Sequence, residues 1–123
     1  RAEIVNKEQK LYELRKEEER LLRQEESLLK EKRLLENQIG DFERYCSDAQ
    51  TQIWDSFETY PSSRIFFEQL QSEASHESRI ISESFFDDLD KVILQKWKLE
   101  DDLNDVYYER IRINQLKDEE DGN

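Results

Sequence analysis

A heptad seam in the first half of the chain constrains the fold more than any other feature. An apolar residue returns every seven positions, at Leu14, Leu21, Leu28, Leu35, Phe42 and Ala49. A second seam lies three or four positions away and is charged in its middle, at Glu18, Glu25 and Lys32. Alternating steps of three and four over several heptads are typical of a coiled coil, in which one helix packs along another. The first half therefore predicts one long helix with a helical neighbour.

The second half repeats this spacing after a single strong break. Its periodic apolar positions are Phe67, Leu70, Ala74, Ile81, Phe85, Leu89, Val92, Leu99, Leu103, Val106 and Ile113. The break is the segment 59–63, because Pro61 disfavours helical backbone at Tyr60 and the serines that follow can cap a new helix. The chain has only two glycines and one proline, which leaves few turns for strands.

These features predict an all-α fold, a long antiparallel two-helix hairpin that resembles a coiled coil. A single domain would span residues 1–123, with arm one at about 2–58, a turn at 59–63, arm two at about 64–117 and an acidic tail at 118–123. A reversal centred on Pro61 would bring Phe42 opposite Ile81, Leu21 opposite Leu103 and Glu13 opposite Arg110. The predicted register thus matches apolar residues and opposite charges.

Charge restricts the partners that such a hairpin can have. The net charge is −12, and residues 1–39 are neutral, with ten basic and ten acidic residues, so residues 40–123 hold the whole excess. An acidic chain is repelled by phosphate backbones and anionic lipid surfaces. No apolar run approaches the roughly 20 residues of a membrane span. We therefore expect no nucleic-acid partner and no membrane partner. The single cysteine fits a cytoplasmic location, and export together with a cargo stays open.

The residue types that carry chemistry are scarce. Cys46 and His76 would face each other in the predicted register, and a thiol beside an imidazole can form a nucleophile and its base. However, Cys46 occupies a seam position, where cysteine usually packs as a small apolar residue. The acidic clusters lack the D-x-D-x-D-G pattern of a calcium loop. The sequence therefore predicts no enzyme, no metal site and no cofactor.

Apolar residues beside the seams mark the expected binding surface. A helix in a two-helix hairpin buries one stripe, so a second stripe would stay open to a partner. The predicted partner-binding residues are Leu22, Leu29, Trp54, Phe86, Ile93, Trp97, Tyr107, Tyr108 and Ile111. Trp and Tyr often dominate binding energy in protein interfaces. We expect at least one helix from another chain on this surface, and self-association into a four-helix bundle or a structural rod is the alternative.

One segment of arm two is similar to a known family. The stretch Leu99-Glu100-Asp101-Asp102-Leu103-Asn104-Asp105-Val106-Tyr107-Tyr108-Glu109-Arg110, together with the leucine heptads and the length, resembles the small α-helical partners of LXG-domain toxins. These toxins belong to the type VII (Esx) secretion systems of Gram-positive bacteria. The resemblance implies a targeting chaperone that binds the helical N-terminal domain of the toxin, beside a WXG-like small helical protein.

Two details depart from the WXG-like companions. Trp54-Asp55-Ser56 has serine where their turn has glycine, and Phe86 with Asp90 matches an F-x-x-x-D export pattern only in the middle of a predicted helix. The resemblance therefore implies that an export signal lies on the companion rather than on this chain.

Overall fold

The computed structural model describes the backbone of residues 2–121 and the side chains of residues 6–116. Helix α1 spans Ala2–Thr59, a 3₁₀ turn spans Pro61–Ser63, and helix α2 spans Arg64–Asp121. The two helices pack against each other, and there is no strand within residues 2–121. The predicted all-α helical hairpin is confirmed. Helix α2 runs through residue 121 of the segment predicted as an acidic tail, whose last two residues lie outside the described ones.

The chain reverses where the proline forces it to. Tyr60 leaves the helix with φ −126° and ψ 67°, because the ring of Pro61 clashes with helical backbone at the preceding residue. The amide of Tyr60 still donates to Ser56 O at 2.9 Å, and the amide of Ser63 donates to Tyr60 O at 3.0 Å. These two bonds use backbone groups that the end of α1 and the short 3₁₀ turn would otherwise leave without partners.

The chain divides into two compact units. The terminal unit comprises residues 1–30 and 92–123, and the turn unit comprises residues 31–91. In the terminal unit, Leu21 is 2% exposed and forms a core with Leu99 and Val106. The partly buried leucines packed against this core are Leu14, Leu28 and Leu103. Val92 and Ile113 are also buried, so α2 contributes one buried residue in every seven here.

The turn unit is packed less tightly. None of its residues is buried, although the rings of Phe42 and Phe85 lie 5.7 Å apart between the helices. Leu70 and Ile81, which were predicted as seam residues, are 40% and 43% exposed. The prediction for these two residues is wrong. The buried positions of α2 recur every seven residues, and when they are counted back from Val92 they fall on other residues. They reach Phe85, Ser78 and Gln71, all of them partly buried.

The predicted register is wrong by about one helical turn (3.6 residues). Arg110 Nη1 donates to Glu18 Oε2 at 2.5 Å rather than to Glu13, and the ring of Phe42 packs against Phe85, which lies four residues beyond Ile81. Leu14 and Ile113 line one shallow groove and Leu28 and Leu99 line another, which fits the same shift. Apolar packing of the seams sets the register, and a charge-rich helix offers several accidental matches for each ion pair.

Candidate partner-binding surface

One flank of the terminal unit is polar. A shallow groove there has Leu28 and Leu99 among its lining residues, and its polar lining residues are Gln24, Ser27, Gln95, Lys98 and Asp102. A second groove on the same flank joins Leu14 and Ile113 with Lys10, Glu13, Glu17 and Glu109. Most of these polar residues come just before a seam position. Because the helices are antiparallel, residues that precede seam positions on either helix emerge on the same side of the pair.

The opposite flank of the terminal unit carries large apolar residues among polar ones, which are Arg15, Glu19, Glu26, Glu100 and Asn104. By the same geometry, residues that directly follow the buried seam positions emerge together on this side. On α1, Leu22 follows Leu21 and Leu29 follows Leu28. On α2, Ile93 follows Val92 and Tyr107 follows Val106, and one turn further along stand Trp97 and Ile111. We define these six residues as the apolar flank.

The apolar flank is open to solvent. Trp97 is 59% exposed, Tyr107 56% and Leu22 46%. Leu29, Ile93 and Ile111 are half-buried at the base of the flank, beside the core residues that they follow. In such a strip, exposed aromatic rings stand beside half-buried aliphatic residues, and both can pack against a helix of a partner.

The other predicted binding residues lie elsewhere. Trp54 and Phe86 belong to the turn unit and are 54% and 47% exposed. Tyr108 is 67% exposed and its ring packs edge-on against Tyr107, with ring centroids 5.5 Å apart. The position of Tyr108 in the heptad places it on the outer face of α2, so Tyr108 can orient Tyr107 without itself facing the flank. Of the nine predicted residues, seven therefore belong to the terminal unit and two to the turn unit.

Sequence reasoning missed further exposed apolar side chains. They are Tyr12, Leu34, Tyr45, Tyr60, Ile65, Phe66, Ile80, Leu94 and Leu116. Tyr12 follows Leu11 on α1 and carries the ammonium of Lys16 at 5.5 Å from its ring centroid. The heptad frame could have found Tyr12, since it lies on the same side of α1 as Leu22. Ile65 and Phe66 precede the first predicted seam residue and therefore escaped the pattern.

Exposed ion pairs surround these surfaces. A hydrogen bond from Arg20 lowers the pKa of Glu17, and one from Arg112 lowers the pKa of Glu109. In each pair the two residues are three positions apart on the same helix, and both pairs are exposed to solvent. The pair between Glu18 and Arg110 joins the two helices and is partly shielded, with side-chain exposures of 30% and 37%. This pair constrains the position of one helix along the other more than the exposed pairs do.

Cys46 forms a hydrogen bond to the other helix. Its Sγ donates to Ser78 Oγ at 3.5 Å, and Ser78 Oγ donates in turn to Ala74 O at 2.7 Å. His76 is exposed. The described part of the chain contains no group of three or more His, Cys, Asp or Glu side chains placed to hold a metal ion. In the same part of the chain, neither helix has a segment that combines the length and apolarity needed to cross a membrane.

No protein-family model, curated protein or solved structure matches this chain.

Proposed function

We propose that this chain is a helix-binding partner that packs its apolar flank against a helical domain of a larger protein and keeps that domain soluble. The single observation that carries the proposal is the one-sided distribution of apolar residues in the terminal unit. Leu22, Trp97 and Tyr107 stay open on one flank while the other flank is lined with charges and amides. A hairpin on its own gains nothing from three large apolar side chains exposed on one flank, whereas an interface does.

The cargo that we propose is the helical N-terminal domain of an LXG toxin of a type VII (Esx) secretion system. This part rests on the resemblance of the segment from Leu99 to Arg110 to the small partners of such toxins. The chain would act there as a targeting chaperone, with a WXG-like small helical protein as a second partner. Covering apolar helix faces before export lowers the chance that they aggregate, and this needs no catalysis.

The direct test replaces the two exposed aromatics of the flank, Trp97→Ala with Tyr107→Ala, in an affinity-tagged chain. Pull-down from the native cells, with the co-purifying chains identified by mass, should recover a larger helical protein with the unaltered chain. Truncation of two central aromatic residues typically costs several kcal/mol, so recovery should fall by at least about tenfold.

The matched control is Tyr60→Ala with Phe66→Ala. These aromatics are 61% exposed each and belong to the turn unit, so the control removes similar apolar area from another place. It should leave recovery nearly unchanged. Circular dichroism should show the same helicity for both variants. If the flank variant retains the cargo as well as the control does, the proposal is wrong.

Self-association into a structural rod is the competing function. It predicts that the purified chain alone forms a stable dimer through the same flank. Sedimentation of the chain from micromolar to sub-micromolar concentration separates the two functions, because a dimer that persists at the lowest concentration and disappears in the flank variant favours the rod.

A further inference from the structure

An open groove lies between the helices of the turn unit. Its volume is about 670 Å³, and its wall is formed mainly by apolar and small side chains. They include Phe42, Cys46, Ala49, Ser75, Ser78 and Ser82. It extends along α1 from residue 42 to residue 53, about 18 Å at 1.5 Å per residue.

The groove exists because the seams of this unit carry small side chains. Ser75, Ser78 and Ser82 occupy the α2 positions that would be filled by large apolar residues in a closed coiled coil, and they face Cys46 and Ala49. Ile81, which could have filled this space, lies one residue too early and stays 43% exposed at the edge of the groove. The two helices alone therefore leave apolar wall uncovered.

Acidic residues outnumber basic ones around the groove. Residues 42–90 contain eleven acidic residues and three basic ones, Arg44, Arg64 and Arg79, and Arg44 is paired with Asp41. Arg64 is already engaged, since its Nε lies 2.8 Å from Glu68 Oε1. Glu43 and Glu77 line the groove itself, one from each helix, with Arg79 as the only basic lining residue among the described side chains.

From these observations we infer that the groove binds a basic amphipathic helix of about three turns. Bulky apolar side chains of that helix would enter between the small residues of the seams as knobs, and its Lys and Arg residues would lie against Glu43 and Glu77. The inference rests on the proposed function in taking the partner to be a helix, but it uses none of the residues of the apolar flank. Charge selects a foreign helix over a second copy, because a copy would bring a second acidic turn unit to the same place.

Two synthetic peptides test the inference on the full-length chain. Both have 21 residues with the same Leu and Phe positions in a heptad pattern, and they differ only in carrying Lys or Glu on the flanking positions. Cys46 is the sole cysteine and lies in the groove, so its rate of alkylation by iodoacetamide, followed by mass, reports occupancy of this site. We expect the basic peptide to protect Cys46 and to bind at least about tenfold more tightly than the acidic peptide at low salt.

Charge-reversal variants then test whether the acidic residues of the groove cause the preference for the basic peptide. Glu43→Lys with Glu77→Lys should remove the advantage of the basic peptide, whereas Glu58→Lys with Glu83→Lys, an equal change in net charge at exposed residues outside the groove wall, should retain most of it. Equal or tighter binding of the acidic peptide, or binding of the basic peptide without protection of Cys46, overturns the inference. So does protection of Cys46 by the chain alone as its concentration rises, which would identify a second copy as the occupant.

The two proposals fail separately. If the flank variant loses the cargo and neither peptide protects Cys46, the proposed function stands and the inferred binding site in the groove is wrong. If the basic peptide protects Cys46 but Trp97→Ala with Tyr107→Ala leaves cargo recovery unchanged, the groove site stands and the proposed function is wrong.

Discussion

The terminal unit and the turn unit are built from the same two helices, yet they pack differently. All five buried apolar side chains of the described residues lie in the terminal unit, at Leu21, Val92, Leu99, Val106 and Ile113. The turn unit buries none and has an open groove instead. Helix formation is equal in the two units, so the difference arises from what occupies the seams rather than from helix propensity.

The phase of the apolar residues along α2 explains the difference. From Val92 onward, large aliphatic residues coincide with the positions that face α1. Before Phe85, polar residues occupy several of these positions, at Gln71, Ser75, Ser78 and Ser82, and Ile81 precedes the last of them by one residue and is exposed. A shift of one residue rotates a side chain by about 100° around the helix. The comparison shows that helix geometry can continue unchanged while the core does not.

Truncating a core leucine of the terminal unit should have the largest effect. We expect Leu21→Ala to lower the free energy of unfolding by about 2–4 kcal/mol, because it leaves a cavity beside Leu99 and Val106. Urea denaturation followed by circular dichroism measures it. Leu34→Ala is the control, since Leu34 is 58% exposed, and it should cost less than about 0.5 kcal/mol. Equal losses in the two variants would contradict the assignment of the core.

Filling the groove should make the packing of the turn unit more like that of the terminal unit. Ser75→Leu with Ser82→Leu places aliphatic side chains at two half-buried groove positions. We expect a gain in the free energy of unfolding of about 1–2 kcal/mol, measured by the same denaturation. Ser72→Leu with Ser84→Leu makes the same exchange at exposed positions, where improved helix propensity alone should give about 0.5 kcal/mol. No difference between the pairs would mean that the groove is not a packing defect.

The ion pair between the helices gives the next smaller effect and checks the register. A double-mutant cycle of Glu18→Gln and Arg110→Gln should give a coupling free energy of about 0.5–1 kcal/mol, because both side chains are still partly exposed. A parallel cycle with Glu13→Gln should give a coupling within about 0.3 kcal/mol of zero. The opposite result would restore the register that charge matching predicted.

The sequence predicts helices and their break well, because these depend on neighbouring residues. The seam from Leu14 to Leu35 and the effect of Pro61 on Tyr60 are local, and both agree with the structure. Trp97 and Tyr107 were expected to stay open because they lie off the seams, and they are exposed.

The register and the groove could not be predicted in the same way, since both depend on contacts between distant segments. Glu13, Glu17 and Glu18 all lie within two turns of one another on α1, so each offers Arg110 an opposite charge. The apolar spacing of Ile81 likewise suggested a core residue, whereas the frame set by Val92 and Leu99 places it at the edge. Only packing between the helices decides which of two periodic frames faces inward.

The smallest expected effect concerns the exposed ion pairs of the terminal unit. Glu17 and Glu109 accept hydrogen bonds from Arg20 and Arg112, which lower the pKa of each carboxyl below its ordinary value of 4.5. Because the lowered pKa belongs to the folded chain, each pair contributes stability that is fully present above pH 4.5 and is lost as the pH falls through the lowered value. NMR titration should therefore place both carboxyl midpoints below 4.5, and Arg20→Gln should return Glu17 towards 4.5 while leaving Glu109 unchanged. High salt should weaken both shifts, since these charges are open to solvent. A midpoint of Glu17 that is insensitive to Arg20→Gln would show that the pair does not persist in solution, and this pair would then contribute nothing to the stability of the terminal unit.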